Sequence, residues 1–503
     1  MAGMRIGIIG GGIAGLAAAY ELEKARAAGQ ALEYTLYEAR PRLGGALASE
    51  TVDGAVLELG PDSFLTEKPA AAELCRELGL GAELLPSNDA ARRTWIVVKN
   101  RLVALPDGLM FLVPTKLLPT ALTRLFSLRT KIKMGFELLH PPRAADGDES
   151  VAALVERHYG LEAVDRLADP LLSGIYGGDA AELSARTVLP RLVEMEKNYG
   201  SLTRGMLAAH KKMRAARKSS PKSPSKTQNR GAAPIFTALR GGMQQLVDAI
   251  TARLDPASVW TGTPVSDIEK TGRGWRVHTR GAAREFDALI MASPAWAAGV
   301  LLQHVDRELG EELSGVPYSS SITVNLVYDE SKIGRLPEGF GFLVPASEGR
   351  AMLACTFVHR KFLGRTPPGK AVFRAFLGGA RREALLAEGD ETLVATVRRE
   401  MAAILGTKVL AAEIEPECVK VCRWRRAMAQ YAVGHQERMR RIAARTATLP
   451  GLRMAGNAYD GIGIPDCIRL GRQAARELVE TLGSKEQGSE GTSNRPTAPL
   501  YSA

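Results

Sequence analysis

The sequence has few cysteines and histidines, and neither residue type is spaced as a metal site requires. Five cysteines are scattered through 503 residues without a CxxC pair, and seven histidines form no HxxxH or HExxH pair. Zinc clusters and a disulfide framework are therefore not expected, and the cysteine usage suits a reducing compartment. We expect no bound metal.

The chain also lacks an apolar run long enough to cross a membrane, since none reaches the roughly eighteen residues of a span. Met1 to Met4 lead directly into the first predicted strand, which leaves no room for a signal peptide. We therefore expect a cytoplasmic protein and leave peripheral membrane association and a homodimer open.

Acidic residues are missing from one segment, residues 211–230, which carries eight Lys or Arg. The net charge of the chain is +11, so about +3 remains for all other residues. Because the rest of the chain is nearly balanced, the basic excess does not indicate a nucleic-acid partner. The low-complexity part, residues 214–233, is predicted to be a disordered basic loop.

Glycine is abundant, and it is most informative near the N-terminus. A β-branched run, residues 5–9, precedes Gly10, Gly12 and Gly15 in the GxGxxG spacing. This pattern predicts a buried strand and a helix beginning near Ile13 and Ala14, whose N-terminus faces a pyrophosphate.

The next residues extend this motif. A second predicted strand ends at Glu38, at the distance expected of a carboxylate that binds the adenosine ribose. Arg42 offers a cation for the pyrophosphate, and Gly44 and Gly45 permit close approach of the backbone. The acid at Glu38 favours an unphosphorylated ribose over NADP. The extension from Glu38 to Gly45 resembles that of the FAD-binding flavoprotein oxidases and desaturases rather than the NAD dehydrogenases, and this resemblance implies FAD; the alternative is a structural turn without a ligand.

The remaining pattern predicts an α/β protein of several domains. The residues themselves predict an antiparallel sheet and a helical subdomain. The resemblance to flavoprotein oxidases implies that a Rossmann-like FAD-binding domain is assembled from three discontinuous segments and that the antiparallel sheet belongs to a substrate domain. The expected FAD-binding segments are 1–90, 234–300 and 417–483. The substrate domain is expected from 91–106, a hairpin, and 301–416. The helical subdomain is expected at 107–213, and a disordered tail at 484–503.

One part of the helical subdomain, residues 109–139, is rich in Leu, Met and Phe and has Glu137 as its only acid. It is interpreted either as a face that contacts anionic lipid or as a helical subdomain with a solvated basic side.

Four further motifs identify a family resemblance. They are Gly-Pro-Asp-Ser-Phe at 60–64, Ser-Gly-Ile-Tyr-Gly-Gly-Asp at 173–179, the Arg- and Trp-containing stretch at 423–435, and Ala-Gly-Asn-Ala-Tyr-Asp-Gly-Ile-Gly-Ile-Pro-Asp-Cys-Ile at 455–468. With the N-terminal motif, they make residues 4–482, apart from the basic loop, resemble the FAD-dependent protoporphyrinogen and coproporphyrinogen III oxidases of haem biosynthesis. These enzymes resemble flavin amine oxidases in fold.

The resemblance implies an oxidase that removes six electrons from a porphyrinogen in three flavin cycles, passes them to molecular oxygen and releases hydrogen peroxide. The methylene bridges of such a substrate are already activated, so no catalytic acid or base is expected. Coproporphyrinogen III is slightly preferred as substrate over protoporphyrinogen IX, because no membrane span is found.

The resemblance also implies site residues. Gly174 and Tyr176 are expected near the macrocycle, and Arg92 or Arg93 at the propionates, with Lys68 and Arg423 as weaker candidates. Residues expected along the cofactor are Gly60, Pro61, Asp62, Ser63, Val265 at the adenine end, Trp424, Gly456, and Gly463, Ile464 and Pro465 beside the flavin.

Two rival functions remain. A phytoene desaturase or amine oxidase would share Gly10 to Gly45, but the Gly174 motif and the lack of an evident aromatic pair near the C-terminal motif disfavour it. A flavin-binding scaffold at the membrane would use the basic helices and the loop at 211–230.

Overall fold

The computed structural model describes residues 3–106, 108–110, 112–114, 116–142, 147–219, 234–406 and 408–488. Residues 220–233 of the predicted basic loop and residues 489–503 of the predicted disordered tail lie outside the described residues.

The strands are β1 (Met4–Ile9), β2 (Leu32–Tyr37), β3 (Ser49–Val52), β4 (Ala55–Glu58), β5 (Phe64–Leu65), β6 (Leu84–Pro86), β7 (Thr94–Val98), β8 (Arg101–Ala104), β9 (Leu109–Met110), β10 (Val113–Pro114), β11 (Phe236–Leu239), β12 (Val259–Trp260), β13 (Val265–Thr271), β14 (Gly274–Thr279), β15 (Ala282–Phe286), β16 (Ala288–Met291), β17 (Tyr318–Asp329), β18 (Gly341–Leu343), β19 (Met352–Phe357), β20 (Lys370–Gly378), β21 (Cys418–Ala429) and β22 (Leu452–Met454).

The α-helices are α1 (Ile13–Ala27), α2 (Ala70–Glu77), α3 (Leu117–Leu122), α4 (Leu128–Phe136), α5 (Val151–Tyr159), α6 (Leu161–Ala163), α7 (Asp169–Tyr176), α8 (Ala185–Val188), α9 (Pro190–Tyr199), α10 (Leu202–Ser219), α11 (Gln244–Thr251), α12 (Ala295–Leu302), α13 (Arg307–Ser314), α14 (Val358–Lys361), α15 (Asp390–Leu405), α16 (His435–Ala447) and α17 (Ile464–Gly488).

A parallel sheet with the order β12-β2-β1-β16-β22 gathers strands from both ends of the chain. The apolar side chains of β1 are buried, and α1 and α17 pack on the sheet and on each other. A side chain at Gly471 of α17 would lie 2.1 Å from the Ala14 carbonyl oxygen of α1, so the two helices require glycine there. Because the strands are parallel, the carboxyl ends of β1, β2, β16 and β22 meet at one edge.

A second sheet has the order β21-β17-β20-β19-β18-β7-β8 and is antiparallel except for the β18–β7 pair. The predicted hairpin joins β7 to β8, and Lys99 and Asn100 at its turn both have positive φ, 49° and 61°, as a tight two-residue turn requires. Strand β21 pairs with β17, so residues 418–429 lie in this sheet although the expected boundary at 416/417 assigns them to the FAD-binding domain.

The helices α3 to α10 form a third layer whose core includes Leu154, Val155 and Tyr159. A π-helical turn, Val164–Ala168, joins α6 to α7. The prediction that residues 107–213 are mostly helical is correct, apart from the short β9–β10 pair, which it missed. The helix boundaries were wrong at two places, since α10 continues to Ser219 and α17 to Gly488.

The fold class is confirmed: an α/β protein with a Rossmann-like domain of discontinuous segments, a largely antiparallel second sheet and a helical layer. Within the described ranges, no helix is both long enough and apolar enough to cross a membrane.

Candidate active site

In the turn from β1 to α1, two glycines are needed for close packing and a third borders free space. Gly10 has a φ of +116°, and a side chain at Gly15 would lie 1.9 Å from the Gly10 carbonyl oxygen, so packing within the turn requires both. At Gly12 the nearest atom to an added Cβ is the Gly45 Cα, 4.0 Å away, so this position opens into free space. Gly12 is the N-cap of α1, no side chain caps the helix, and its first turn holds no acid. The positive end of the helix dipole is thus directed at that space.

Glu38 follows β2 at the same edge and connects three segments of backbone. Its carboxylate accepts hydrogen bonds from the Gly11 amide at 2.7 Å and from the Arg40 amide at 2.8 Å. Its own carbonyl oxygen accepts from the Thr263 amide at 2.9 Å, which fixes the segment that leads to Val265. The structure therefore brings the predicted ribose and adenine residues together.

Arg42 and the two glycines after Leu43 close the turn from the other side. The Gly44 amide donates to the Gly11 carbonyl oxygen at 2.8 Å, and Gly45 has a φ of +60°. The Arg42 guanidinium donates to the carbonyl oxygens of Leu43, Gly45 and Leu47 at 2.5 to 3.1 Å. Burial lowers the pKa of Arg42, and the neighbouring charge of Arg40 lowers it further. These contacts leave a fixed cation beside the glycine turn.

The Gly60–Ser63 loop is held against the second sheet. A side chain at Gly60 would lie 1.7 Å from the Ala46 carbonyl oxygen. Asp62 pairs with Lys361 at 2.9 Å and approaches Arg374 at 3.9 Å. Burial would raise the pKa of Asp62, but these two cations and the Ser63 hydroxyl hold it well below its usual range. The Asp62 side chain therefore anchors the loop.

Trp424 connects this loop to Arg42. Its indole N–H donates to the Leu59 carbonyl oxygen at 2.7 Å, and the Arg42 guanidinium lies 5.9 Å from the centre of its ring. The ring of Trp424 thus lies between two of the predicted cofactor segments.

The C-terminal motif adds the last side of the site. Gly456 follows β22, and Gly463, Ile464 and Pro465 lead into α17, whose first residue is Ile464. Ser293, after β16, lies between Gly10 and Gly456, and its Oγ is buried with no hydrogen-bond partner among the described residues. A buried hydroxyl without a partner is costly, so a polar ligand group or a water molecule at this edge would satisfy it.

Of the two predicted substrate residues on α7, Tyr176 lies near the C-terminal motif and Gly174 does not contact it. The rings of Tyr176 and Tyr431 have centres 6.2 Å apart. Burial raises the pKa of Tyr176 to about 12, and the Asp466 carboxylate adds to the increase. Gly174 is exposed, and a Cβ there would lie 3.5 Å from the Leu343 side chain. Tyr176 is therefore close to the start of α17.

The predicted propionate cations are placed differently. Arg92 and Arg93 are exposed before β7, Arg92 lies 3.9 Å from Asp89, and the Arg93 guanidinium lies 5.8 Å from the Trp95 ring. Lys68 donates to both oxygens of Asp466. Arg423 pairs with Asp390 at 2.5 Å. The structure brings Lys68 next to the cofactor motif, whereas it places Arg92 and Arg93 at exposed positions.

Sequence reasoning missed Ser293, Tyr431 and Asp466. Asp466 offered a signal, because an acid in the first turn after a glycine-rich loop is typical of a helix start. The argument against an amine oxidase from a missing aromatic pair was weak, because Tyr176 and Tyr431 pair although they are distant in sequence.

Three residues with metal-ligating side chains lie together on the β13–β14 hairpin. Asp267, Glu269 and His278 have ligand atoms within 4.8 Å of one another. Glu269 is paired with Arg276 at 3.4 Å and with His278 at 3.2 Å, both on an exposed face. We interpret Glu269 and Arg276 as a surface ion pair.

The profile of the flavin containing amine oxidoreductase family matches residues 13–479. The chain belongs to this family. Membership confirms the prediction of an FAD-dependent oxidoreductase.

The relatives within this family confirm the finer resemblance. The chain is 34% identical over 480 residues to a coproporphyrinogen III oxidase of Bacillus subtilis, covering 95% of this chain and 98% of the relative. It is 32% identical over 502 residues to a human protoporphyrinogen oxidase, covering 95% and 99%. A crystal structure of a candidate protoporphyrinogen oxidase from Exiguobacterium sp. 255-15 superposes with a TM-score of 0.82 at 30% identity, covering 96% of this chain and all of that one.

The residues at the sheet edge fit FAD. The space at Gly12, the uncapped N-terminus of α1 and the Arg42 cation match a pyrophosphate. The buried Ser293 hydroxyl, which is unpartnered among the described residues, is available for a hydrogen bond with such a ligand.

Proposed function

We propose that the protein oxidises a porphyrinogen to its porphyrin in haem biosynthesis, with coproporphyrinogen III preferred over protoporphyrinogen IX. The observation that carries the proposal is the 34% identity to the Bacillus subtilis coproporphyrinogen III oxidase over almost the whole of both chains. The reaction removes six hydrogen atoms from the macrocycle, and three molecules of oxygen take them up as three molecules of hydrogen peroxide. FAD, when bound, supplies the acceptor that passes electron pairs from substrate to oxygen.

In this proposal the sheet edge holds the cofactor. The backbone of Gly10, Gly12, Ile13, Ala14 and Gly15 faces the pyrophosphate with Arg42, Gly44 and Gly45. Glu38 accepts hydrogen bonds from the ribose, since each of its oxygens keeps a second lone pair beside its backbone contact. Val265 contacts the adenine. The residues proposed nearer the flavin ring are Gly60, Pro61, Asp62, Ser63, Trp424, Gly456, Gly463, Ile464 and Pro465.

Gly174 and Tyr176 are proposed to contact the macrocycle. The proximity of Tyr176 to Asp466 supports this proposal, because Asp466 directly follows the proposed flavin residues. The half-buried, uncharged phenol of Tyr176 beside these flavin residues would help to exclude water and to orient the substrate. Arg92, Arg93 and Lys68 stay predictions as propionate ligands.

The decisive experiment follows porphyrin fluorescence and hydrogen peroxide together in air, with coproporphyrinogen III and protoporphyrinogen IX in separate reactions. We expect faster oxidation of coproporphyrinogen III, with three peroxides per porphyrin. Gly12→Val is the matched control, because a side chain at this position occupies the proposed pyrophosphate space. Porphyrin formation no faster than autoxidation by FAD-loaded protein would refute the proposal, and oxidation of a carotene or an amine would replace it.

We also propose a cytoplasmic protein that touches membranes through the outer face of α3 and α4. Six large apolar side chains on these helices and on the turn that follows α4 are 52 to 74% exposed: Leu118, Leu122, Leu128, Ile132, Phe136 and Leu139. The exposed cations Arg124 and Arg129 accompany them. Apolar residues flanked by cations are typical of interfacial helices.

The membrane proposal is tested with vesicles containing phosphatidylglycerol. Ile132→Glu should reduce sedimentation with vesicles, whereas Val300→Glu, at a residue 63% exposed on α12, should not. Equal binding by both variants would contradict it. Analytical ultracentrifugation of the same preparations tests the predicted homodimer.

A further inference from the structure

Lys68 and Asp466 form an ion pair between two segments 398 residues apart. The ammonium donates to Oδ1 at 2.9 Å and to Oδ2 at 2.7 Å, and the side chains are 42% and 10% exposed. Oδ2 also accepts from the Gly463 amide at 3.2 Å. Both carboxylate oxygens are therefore engaged, which does not suit a general base.

The glycine turn before α17 is wrapped around this carboxylate. Gly461 has a φ of +101°, and a Cβ there would lie 2.2 Å from the Asp466 Cγ. A Cβ at Gly463 would lie 3.1 Å from Oδ2. The path of the backbone from Gly461 to Gly463 thus depends on the position of the Asp466 side chain.

The charge of Asp466 matters because of its place in the first turn of α17. The dipole of a long helix places about half a positive charge at its N-terminus. An unpaired carboxylate there would reverse the sign of the local potential, and Lys68 prevents this by neutralising it. The charge of Asp466 also acts on Tyr176 of α7, because it contributes to the raised pKa of that phenol.

We propose that Asp466 is a positioning residue for the backbone beside the flavin, and that Lys68 acts through it by keeping the N-terminus of α17 positive toward the ring. The inference rests on the proposed function, which places Gly463 to Pro465 next to the flavin. This is an alternative to the prediction that Lys68 binds a propionate, because Lys68 would here influence electron acceptance without contacting the substrate.

Three variants test the proposal: Lys68→Met, Asp466→Asn and the double variant. An asparagine can still accept from the Gly463 amide through its side-chain oxygen. The two single variants change the local charge in opposite directions, and the flavin gains electrons on reduction. We expect the midpoint potential of bound FAD to fall in Lys68→Met, to rise in Asp466→Asn, and to return close to the wild-type value in the double variant. A loss of local structure alone would not produce opposite signs.

Lys24→Met is the matched control, because Lys24 is 43% exposed and pairs with Glu77 at 3.2 Å near the far end of α1. Its potential should equal that of the wild type. In turnover, Lys68→Met should lower kcat more than it raises KM.

Unchanged potentials, or shifts of the same sign in both single variants, would overturn the inference. The inference would also be overturned if Lys68→Met had a normal midpoint potential and a raised KM for coproporphyrinogen III alone. Lys68 would then be a propionate ligand. Should Asp466→Asn not fold, Lys68→Met against Lys24→Met still decides. The midpoint potentials are measured without substrate. They therefore test the Lys68–Asp466 pair independently of the proposed function, which is refuted separately if the wild type forms no porphyrin.

Discussion

Two alanine substitutions in the first turn of α1 should fail for different reasons. In Gly15→Ala the new Cβ lies 1.9 Å from the Gly10 carbonyl oxygen, where an ordinary contact exceeds 3.4 Å. The obstructing atom belongs to the backbone, so it cannot move aside by a rotamer change. Overpacking of this kind costs about 1 to 3 kcal/mol, and we expect the upper end of that range.

Gly12→Ala should leave the fold intact, because Gly12 has a φ of −71° and its added Cβ has a single neighbour, at 4.0 Å. We expect FAD affinity to fall about hundredfold, which corresponds to roughly 2.7 kcal/mol. At a free FAD concentration of about 1,000 times the wild-type Kd, binding stabilises the wild type by about 4.1 kcal/mol. At the same concentration the variant gains only about 1.4 kcal/mol.

The assay is denaturant unfolding of the apo and FAD-saturated forms of each protein. Gly15→Ala should lower the stability of the apoprotein, whereas Gly12→Ala should match the wild type without FAD and lose most of the increment with it. An apo Gly12→Ala protein as unstable as Gly15→Ala would refute the reasoning, because the space at Gly12 would then belong to the fold.

Two further predictions concern buried charges away from the site. Burial would lower the pKa of His158, but contacts with Glu137 at 3.0 Å and Glu196 at 3.1 Å raise it above 6.5. The protonated histidine therefore stabilises the fold fully below about pH 6.5, and this stabilisation is lost as the pH rises through the raised pKa. Urea midpoints should fall over that pH window in the wild type but not in His158→Gln. Arg365 forms a fully buried pair with Glu58 at 2.8 Å, so Arg365→Met should destabilise the protein by about 3 to 5 kcal/mol, while the urea midpoint of the exposed Arg307→Met, measured alongside, should not change.

Local patterns predicted much of the fold. The strand of residues 5–9 and the turn at Lys99 and Asn100 were predicted because apolar runs and turn residues encode them locally. The position of β21 in the second sheet was not predicted, because β21 pairs with β17, a strand some 100 residues away in the sequence. The end of α10 at Ser219 was also not predicted, because the low-complexity composition placed the start of the loop at residue 214.

The glycines of the site were predicted better than its polar partners. The need for glycine at Gly10 and Gly15 could be predicted from the GxGxxG spacing alone. The pairing of Lys68 with Asp466 and the orphan hydroxyl of Ser293 depend on which segments meet in space, and no local pattern contains that information. Lys68 was therefore predicted only as a weaker candidate for a propionate ligand, without its carboxylate partner.

The parallel sheet has a consequence for how the protein is made. Its central strand comprises residues 4–9, and its last strand comprises residues 452–454. During synthesis the N-terminal motif must wait until residues 452–488 have left the ribosome before β22 can complete the sheet and α17 can pack on it. Contacts of such sequence separation fold slowly, so chaperones have the longest access to the surface that will later hold the cofactor. A ribosome that stops before residue 452 releases a chain that has the complete glycine motif but cannot assemble its site.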